Sequence, residues 1–213
     1  MNNKVTAKRQ PGPIAMLRGL MPDRPLGMAE SFRIAELQAN KLIELLGLER
    51  PPVANEAIAG LPRIKAERVS PLHSSGFATW SGGWWHIVLN GSEPWTRQRF
   101  SLAHELKHVI DHPFIERAYP KVVGHTAGDR AEQICDYFAA CLLMPKAWVK
   151  RLYCNKGVQE LAPLARRFAV SQMAMRVRLL QLGLIEPLPR CAPYRRASIE
   201  TDCNLTYVGR VAA

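Results

Sequence analysis

The chain predicts an α+β fold: a mostly helical domain with a small antiparallel sheet, followed by a helix-turn-helix-like helical segment. Three observations carry this reading. Short β-compatible runs are confined to residues 64–89, apolar residues recur at helical spacing almost everywhere else, and the stretch 158–183 reads helix, turn, helix. A chain of 213 residues can bury one sizeable core or two small ones, and one main domain with appendages is the default expectation.

The elements follow in order. Residues 1–28 are rich in Pro, Gly and Lys/Arg, show little periodicity and read as a disordered basic arm. Over 30–48, Phe32, Ala35, Ala39, Leu42, Leu45 and Leu46 share one helical face, with Gly47 near the stop. The Pro51-Pro52 pair breaks the chain, and a short second helix ends near Gly60. Residues 64–69, 76–80 and 84–89 read as strands, the last two joined by Ser81-Gly82-Gly83 as a hairpin. Helical patterns then cover 95–112, 127–143, 145–153, 158–168 and 171–183. Pro113, Pro145 and Gly183 serve as stops and Ser171 as an N-cap. The main domain is placed at 29–157, the helix-turn-helix-like segment at 158–186, and a tail at 187–213.

Composition narrows the function classes. Apolar residues make up 47% and charged residues 22%, ordinary values for a soluble globular protein. No run of 18 uncharged apolar residues exists, so no membrane partner is expected. The N-terminal apolar run is split by Arg18 and lacks a small-residue cleavage site, which argues against a secretory signal. Cys135, Cys141, Cys154, Cys191 and Cys203 are odd in number and form no C-x-x-C pair, so a cytoplasmic location with free thiols is expected. The formal net charge of +11 favours polyanions or acidic partners. In the helix-turn-helix-like segment, Arg166, Arg167, Arg176 and Arg178 are the residues that would face phosphates.

The chemistry concentrates in His104-Glu105-Leu106-Lys107-His108. Helical residues four apart stack on one face, so His104 and His108 can grip one metal ion from one side. Glu105 stands about 100° round the helix, where its carboxylate reaches a water rather than the metal. Two imidazoles, a carboxylate base and an open position form the working set of a zinc peptidase.

Two histidines leave such a site one protein ligand short. His112 continues the i, i+4 series, but it lies about 12 Å along the axis from His104, too far for a shared ion; it reads as a supporting or capping residue. The next helix offers Glu132 as the third ligand. Asp136, four residues on, is placed to accept from the free ring nitrogen of a ligating histidine. Asp111, Glu116 and His125 remain as alternative ligands.

The run Gln98-Arg-Phe-Ser-Leu-Ala-His-Glu-Leu-Lys-His-Val-Ile-Asp-His, followed by Glu132-x-x-Cys-Asp-x-Phe-Ala-Ala-x-Leu-Leu-Met-Pro, resembles the ImmA/IrrE family of zinc metallopeptidases. The stretch 161–184 is similar to the segment that follows the catalytic part in many members. The resemblance implies a gluzincin-like site with His104, His108 and Glu132 as metal ligands and Glu105 as general base, holding zinc with manganese as the alternative. It implies a protein substrate, a helix-turn-helix repressor or antitoxin-like partner, in phage, mobile-element or stress-response modules. Lys107 and Cys135 depart from the glycine and alanine frequent at those places; neither change removes a ligand. His125, Tyr119 and Tyr137 stand as oxyanion donors to choose among. The competing reading is a regulator that binds DNA or protein and retains the metal site without turnover.

Overall fold

Helix α2 (Met28–Leu45) buries Ile34, Ala35, Ala39, Leu42 and Ile43, a stripe at helical spacing, against α6 (Ala127–Leu143). Helix α6 buries Ile134, Phe138, Ala139 and Leu142 and packs on its other side against α4 (Trp95–Asp111). Each such aliphatic or aromatic side chain taken fully from water contributes roughly 1.5–3 kcal/mol. The α4–α6 pair is therefore a firm base on which to fix the polar side chains at its open side. Both ends of this framework are chemically set. α2 stops where Gly47 takes φ +62, letting the Leu48 N–H donate to the Ile43 carbonyl at 3.0 Å. α6 starts at a capping box between Thr126 and Asp129. The computed structural model describes residues 11–120 and 126–186. The expected tail at 187–213 and the candidate His125 lie outside the described residues.

The sheet is β1 (Ile64–Val69), β2 (Gly76–Ser81) and β3 (Trp84–Asn90), in the order β1-β3-β2. β2 and β3 form the expected hairpin, closed by Gly82 and Gly83 at φ +57 and +81, angles that suit a two-residue turn. The sheet as a whole is mixed, not antiparallel, because β1 pairs with β3 in parallel from Ile64↔Trp85 to Val69↔Asn90. Three runs that alternate in direction leave the first and third parallel, and here the third occupies the middle. β2 thereby becomes an edge strand beside α4. Of the four tryptophans near the sheet only Trp85 is buried; Trp80, Trp84 and Trp95 are exposed.

Residues 11–28 are not the disordered arm the composition suggests. Helix α1 (Pro13–Arg18) buries Leu17, and Met21 and Leu26 follow it into the core. Arg18 donates from Nη2 to the Val109 carbonyl at 2.7 Å and from Nε to the Ile110 carbonyl at 3.1 Å, bracing the last turn of α4. Three apolar anchors spaced four and five residues apart hold the segment, a pattern hidden among Pro, Gly and basic residues. The first ten residues lie outside the described residues.

Shorter helices complete the domain: α3 (Asn55–Ala59), α5 (Ile115–Ala118) and α7 (Lys146–Lys150), the last running into a π-helical turn at Arg151–Asn155. The terminal pair is α8 (Leu161–Phe168) and α9 (Gln172–Gln181), with the Ser171 hydroxyl capping α9 by accepting from the Ala174 N–H at 3.1 Å. Among the described residues no helix is long and apolar enough to cross a membrane.

Candidate metal centre

Helix α4 presents His104 and His108 on one face, one turn apart, while Leu102, Leu106, Val109 and Ile110 anchor its other faces in the core. Helix α6 presents Glu132 and Asp136 toward the same cleft. The Nε2 atoms of His104 and His108 lie 3.1 Å apart. The Glu132 carboxylate bridges them, at 3.1 Å from His104 Nε2 and 3.2 Å from His108 Nε2. His104 Nδ1 donates to Asp136 Oδ1 at 2.9 Å, and that carboxylate keeps the proton on Nδ1 and the lone pair on Nε2.

This donor set fits a divalent ion. Two imidazole lone pairs and a carboxylate converge with no protein cation between them among the described residues. Edges of 3.1–3.2 Å come close to the roughly 3.3 Å separation of ligand atoms around a tetrahedral ion with bonds of about 2.0–2.1 Å. A second possible third donor is Cys135, whose sulfur joins the two histidines in a looser cluster, all atoms within 4.8 Å. Glu132 makes the contacts of 3.1 and 3.2 Å to the two Nε2 atoms. Burial, with Asp111 adding to it, pushes the Cys135 thiol well above its ordinary range. The Glu132 side chain is 61% exposed, leaving the cluster open to solvent on that side.

Electrostatics divide the two histidines. Burial lowers the His108 pKa, and the charge on His104 lowers it further. Burial works the same way on His104, but the hydrogen bond and charge of Asp136, with Glu105 and Glu132, outweigh it and raise the pKa. Glu105 is buried beside the cluster, and that burial raises its carboxyl above the usual range. Gly76 at the start of β2 lies against it: a Cβ there would meet the Val88 carbonyl at 3.0 Å and the Glu105 Cγ at 3.5 Å. The tight contacts are with β3, the Val88 carbonyl and the Leu89 Cδ2 at 3.2 Å, so the glycine lets β2 close on β3 beside the carboxylate. Sequence reading missed it, and its one signal was a glycine opening a β-compatible run.

The alternative ligands fall elsewhere. Asp111 is buried just beyond His108 on α4 and is engaged there, accepting from Lys107 Nζ at 2.7 Å and from the Tyr119 hydroxyl, while Lys107 also donates to Gln38 Oε1 at 2.5 Å. Glu116 is exposed on α5. Tyr119 is committed to Asp111, and the Tyr137 ring packs on Phe32 at 4.7 Å, away from the histidine cluster. His112 caps α4, its N–H donating to the His108 carbonyl at 2.9 Å and its ring edge-on to Trp85. Of the four arginines expected to face phosphates, Arg166 and Arg167 are exposed and Arg176 is half-buried. Arg178 is not available: only 1% exposed, it donates through Nε to the Met144 carbonyl at 3.0 Å and lies over the Tyr137 ring. Its aliphatic stem and guanidinium fill the α6–α9 contact, where a charge pattern in the sequence cannot place it.

The profile of the family described as IrrE N-terminal-like domain matches residues 62–180, more than half of the chain and all of the cluster above. The chain belongs to the family of IrrE N-terminal-like domains. Over 90 residues this IrrE-type domain is 34% identical to the radiation response metalloprotease IrrE of Deinococcus deserti, a match covering 40% of the chain and 32% of that relative. It therefore spans about a third of the length of the curated relative it matches. Its fold is similar to that of a Mycobacterium tuberculosis transcriptional regulator, with a TM-score of 0.56 and 17% identity over 79% of this chain and 52% of that one. At that identity the likeness concerns the fold of the IrrE-type domain alone.

Proposed function

We propose that the chain is a zinc-dependent endopeptidase in which His104, His108 and Glu132 hold the ion, Glu105 is the general base and Asp136 orients His104. The observation that carries the reading is the triangle of two Nε2 atoms and a carboxylate with a second, buried carboxylate beside it. Two imidazoles and one carboxylate suit zinc, and manganese is the second choice. When bound, the ion lowers the pKa of water toward neutrality and polarises the scissile carbonyl. Glu105 accepts the proton of the attacking water on its carboxylate and returns it to the leaving amine. The exposed edge of β2, which starts beside Glu105 at Gly76, offers main-chain N–H and C=O groups to an extended substrate.

The substrate on this reading is a regulatory protein, a helix-turn-helix repressor or antitoxin-like partner, met in the cytoplasm. The free thiols of Cys135, Cys141 and Cys154 support a reducing compartment. A second reading, a regulator that binds nucleic acid without turnover, keeps support from the exposed Arg166 and Arg167 and the charge of +11.

The deciting comparison sets zinc-loaded chain against Glu105→Gln with a helix-turn-helix repressor as substrate, read on a gel. Loss of the base should slow cleavage by about 10²–10⁴-fold. Cleavage undiminished by that change removes the mechanism, and salt-sensitive retardation of duplex DNA without any cleavage favours the second reading.

A further inference from the structure

Next to the metal cluster runs a second, larger trench of about 620 Å³ that the chemistry above does not use. Its floor and walls include Phe32, Phe100, Tyr137 and Met144, and α9 contributes Met173 and Val177. Those two side chains, one turn apart, are 68% and 44% exposed, an apolar face turned to solvent. The trench is continuous with the catalytic cleft: Arg97, Phe100 and Asp136 line both it and the cavity that holds His104, Glu105 and Glu132.

Buried arginines fix the walls. Arg99 of α4 donates through Nε to the Ala169 carbonyl at 3.0 Å in the α8–α9 turn, and also to Asn55 Oδ1 and the Val53 carbonyl. Arg178 ties α9 to the end of α6 at Met144. The helix that a DNA-reading arrangement would aim at bases is thus clamped to the catalytic domain, with Met173 and Val177 as the open face. Exposed methionine adapts to varied apolar partners at low cost.

We infer that this trench is a substrate-recognition subsite: it takes a short run of apolar side chains of the polypeptide substrate, on one flank of the bond cut at the metal cluster. The occupant is the substrate chain itself because the trench opens into the cleft where that chain must lie. The inference rests on the peptidase reading and adds what the enzyme selects for.

The test uses the full zinc-loaded chain and a library of proteome-derived peptides, with cut sites read by mass spectrometry. The wild-type chain should prefer Leu, Ile, Met and Phe on one flank. Met173→Asp and Val177→Asp, both at exposed positions, should erase that preference, shift it toward Lys and Arg, and raise KM for the best wild-type peptide by about tenfold. Zinc content and thermal midpoint, measured in parallel, show that both variants are folded and loaded. Cleavage without an apolar preference, or a preference unchanged in both variants, overturns the subsite while leaving the peptidase standing. Failure of the loaded wild-type chain to cut any peptide removes the peptidase reading and the subsite with it. Sedimentation as a dimer that Val177→Asp converts to monomer assigns the trench to a second copy and overturns the inference.

Discussion

His104 Nδ1 and the Asp136 carboxylate lie 2.9 Å apart, across the seam between α4 and α6. The contact favours the proton on Nδ1 and the lone pair on Nε2, the atom that faces His108 and Glu132. Asp136→Asn keeps the shape but weakens the preference for the proton on Nδ1. Zinc affinity, read by competition with a chromophoric chelator, should fall about 10–100-fold while the fold persists. An unchanged affinity would mean that the pair does not orient the ligand.

The buried ion pair of Lys107 and Asp111, 2.7 Å apart, flanks His108 on α4, one and three residues away from it. Removing one partner leaves the other charge buried and unpaired. Lys107→Ala should cost about 3–5 kcal/mol of stability, a drop in melting midpoint of roughly 10 °C by calorimetry. A midpoint within a degree of the wild type would show that the pair is not held as described.

Much of the cluster was legible in the sequence, and the reasons are physical. Helical periodicity alone places His104 and His108 on one face, and the same periodicity brings Glu132 and Asp136 to one side of the next helix. What stayed hidden depends on packing between distant segments. Arg178 reads as a phosphate-facing charge because nothing local distinguishes a solvated arginine from one holding the Met144 carbonyl. The parallel pairing of β1 with β3 arises from the path of the chain, not from either strand's composition. Cys135 beside the histidines is equally invisible until α6 docks on α4.

Arg18 donates to two carbonyls at the end of α4, where a cation also meets the negative end of the helix dipole. Arg18→Ala should cost about 1.5–3 kcal/mol, lowering the melting midpoint by several degrees. A truly loose arm would give no change on the same scan.

The arginines of the terminal helix pair should separate into two kinds. Arg178→Ala removes buried hydrogen bonding and should cost about 2 kcal/mol, seen in a urea midpoint. The exposed pair changed together, Arg166→Glu with Arg167→Glu, should leave stability within about 0.5 kcal/mol. If the chain retards duplex DNA, it is this double variant that loses the shift; retention of the shift would put any nucleic-acid contact elsewhere.

The central claim is that a divalent ion is held by His104, His108 and Glu132, and elemental analysis of three purified chains tests it most directly. The wild type and Cys135→Ala should each retain close to one zinc per chain after dialysis against a weak chelator, whereas Glu132→Ala should lose it. Zinc retained by Glu132→Ala and lost by Cys135→Ala would contradict the account, moving the third ligand from the carboxylate to the thiol.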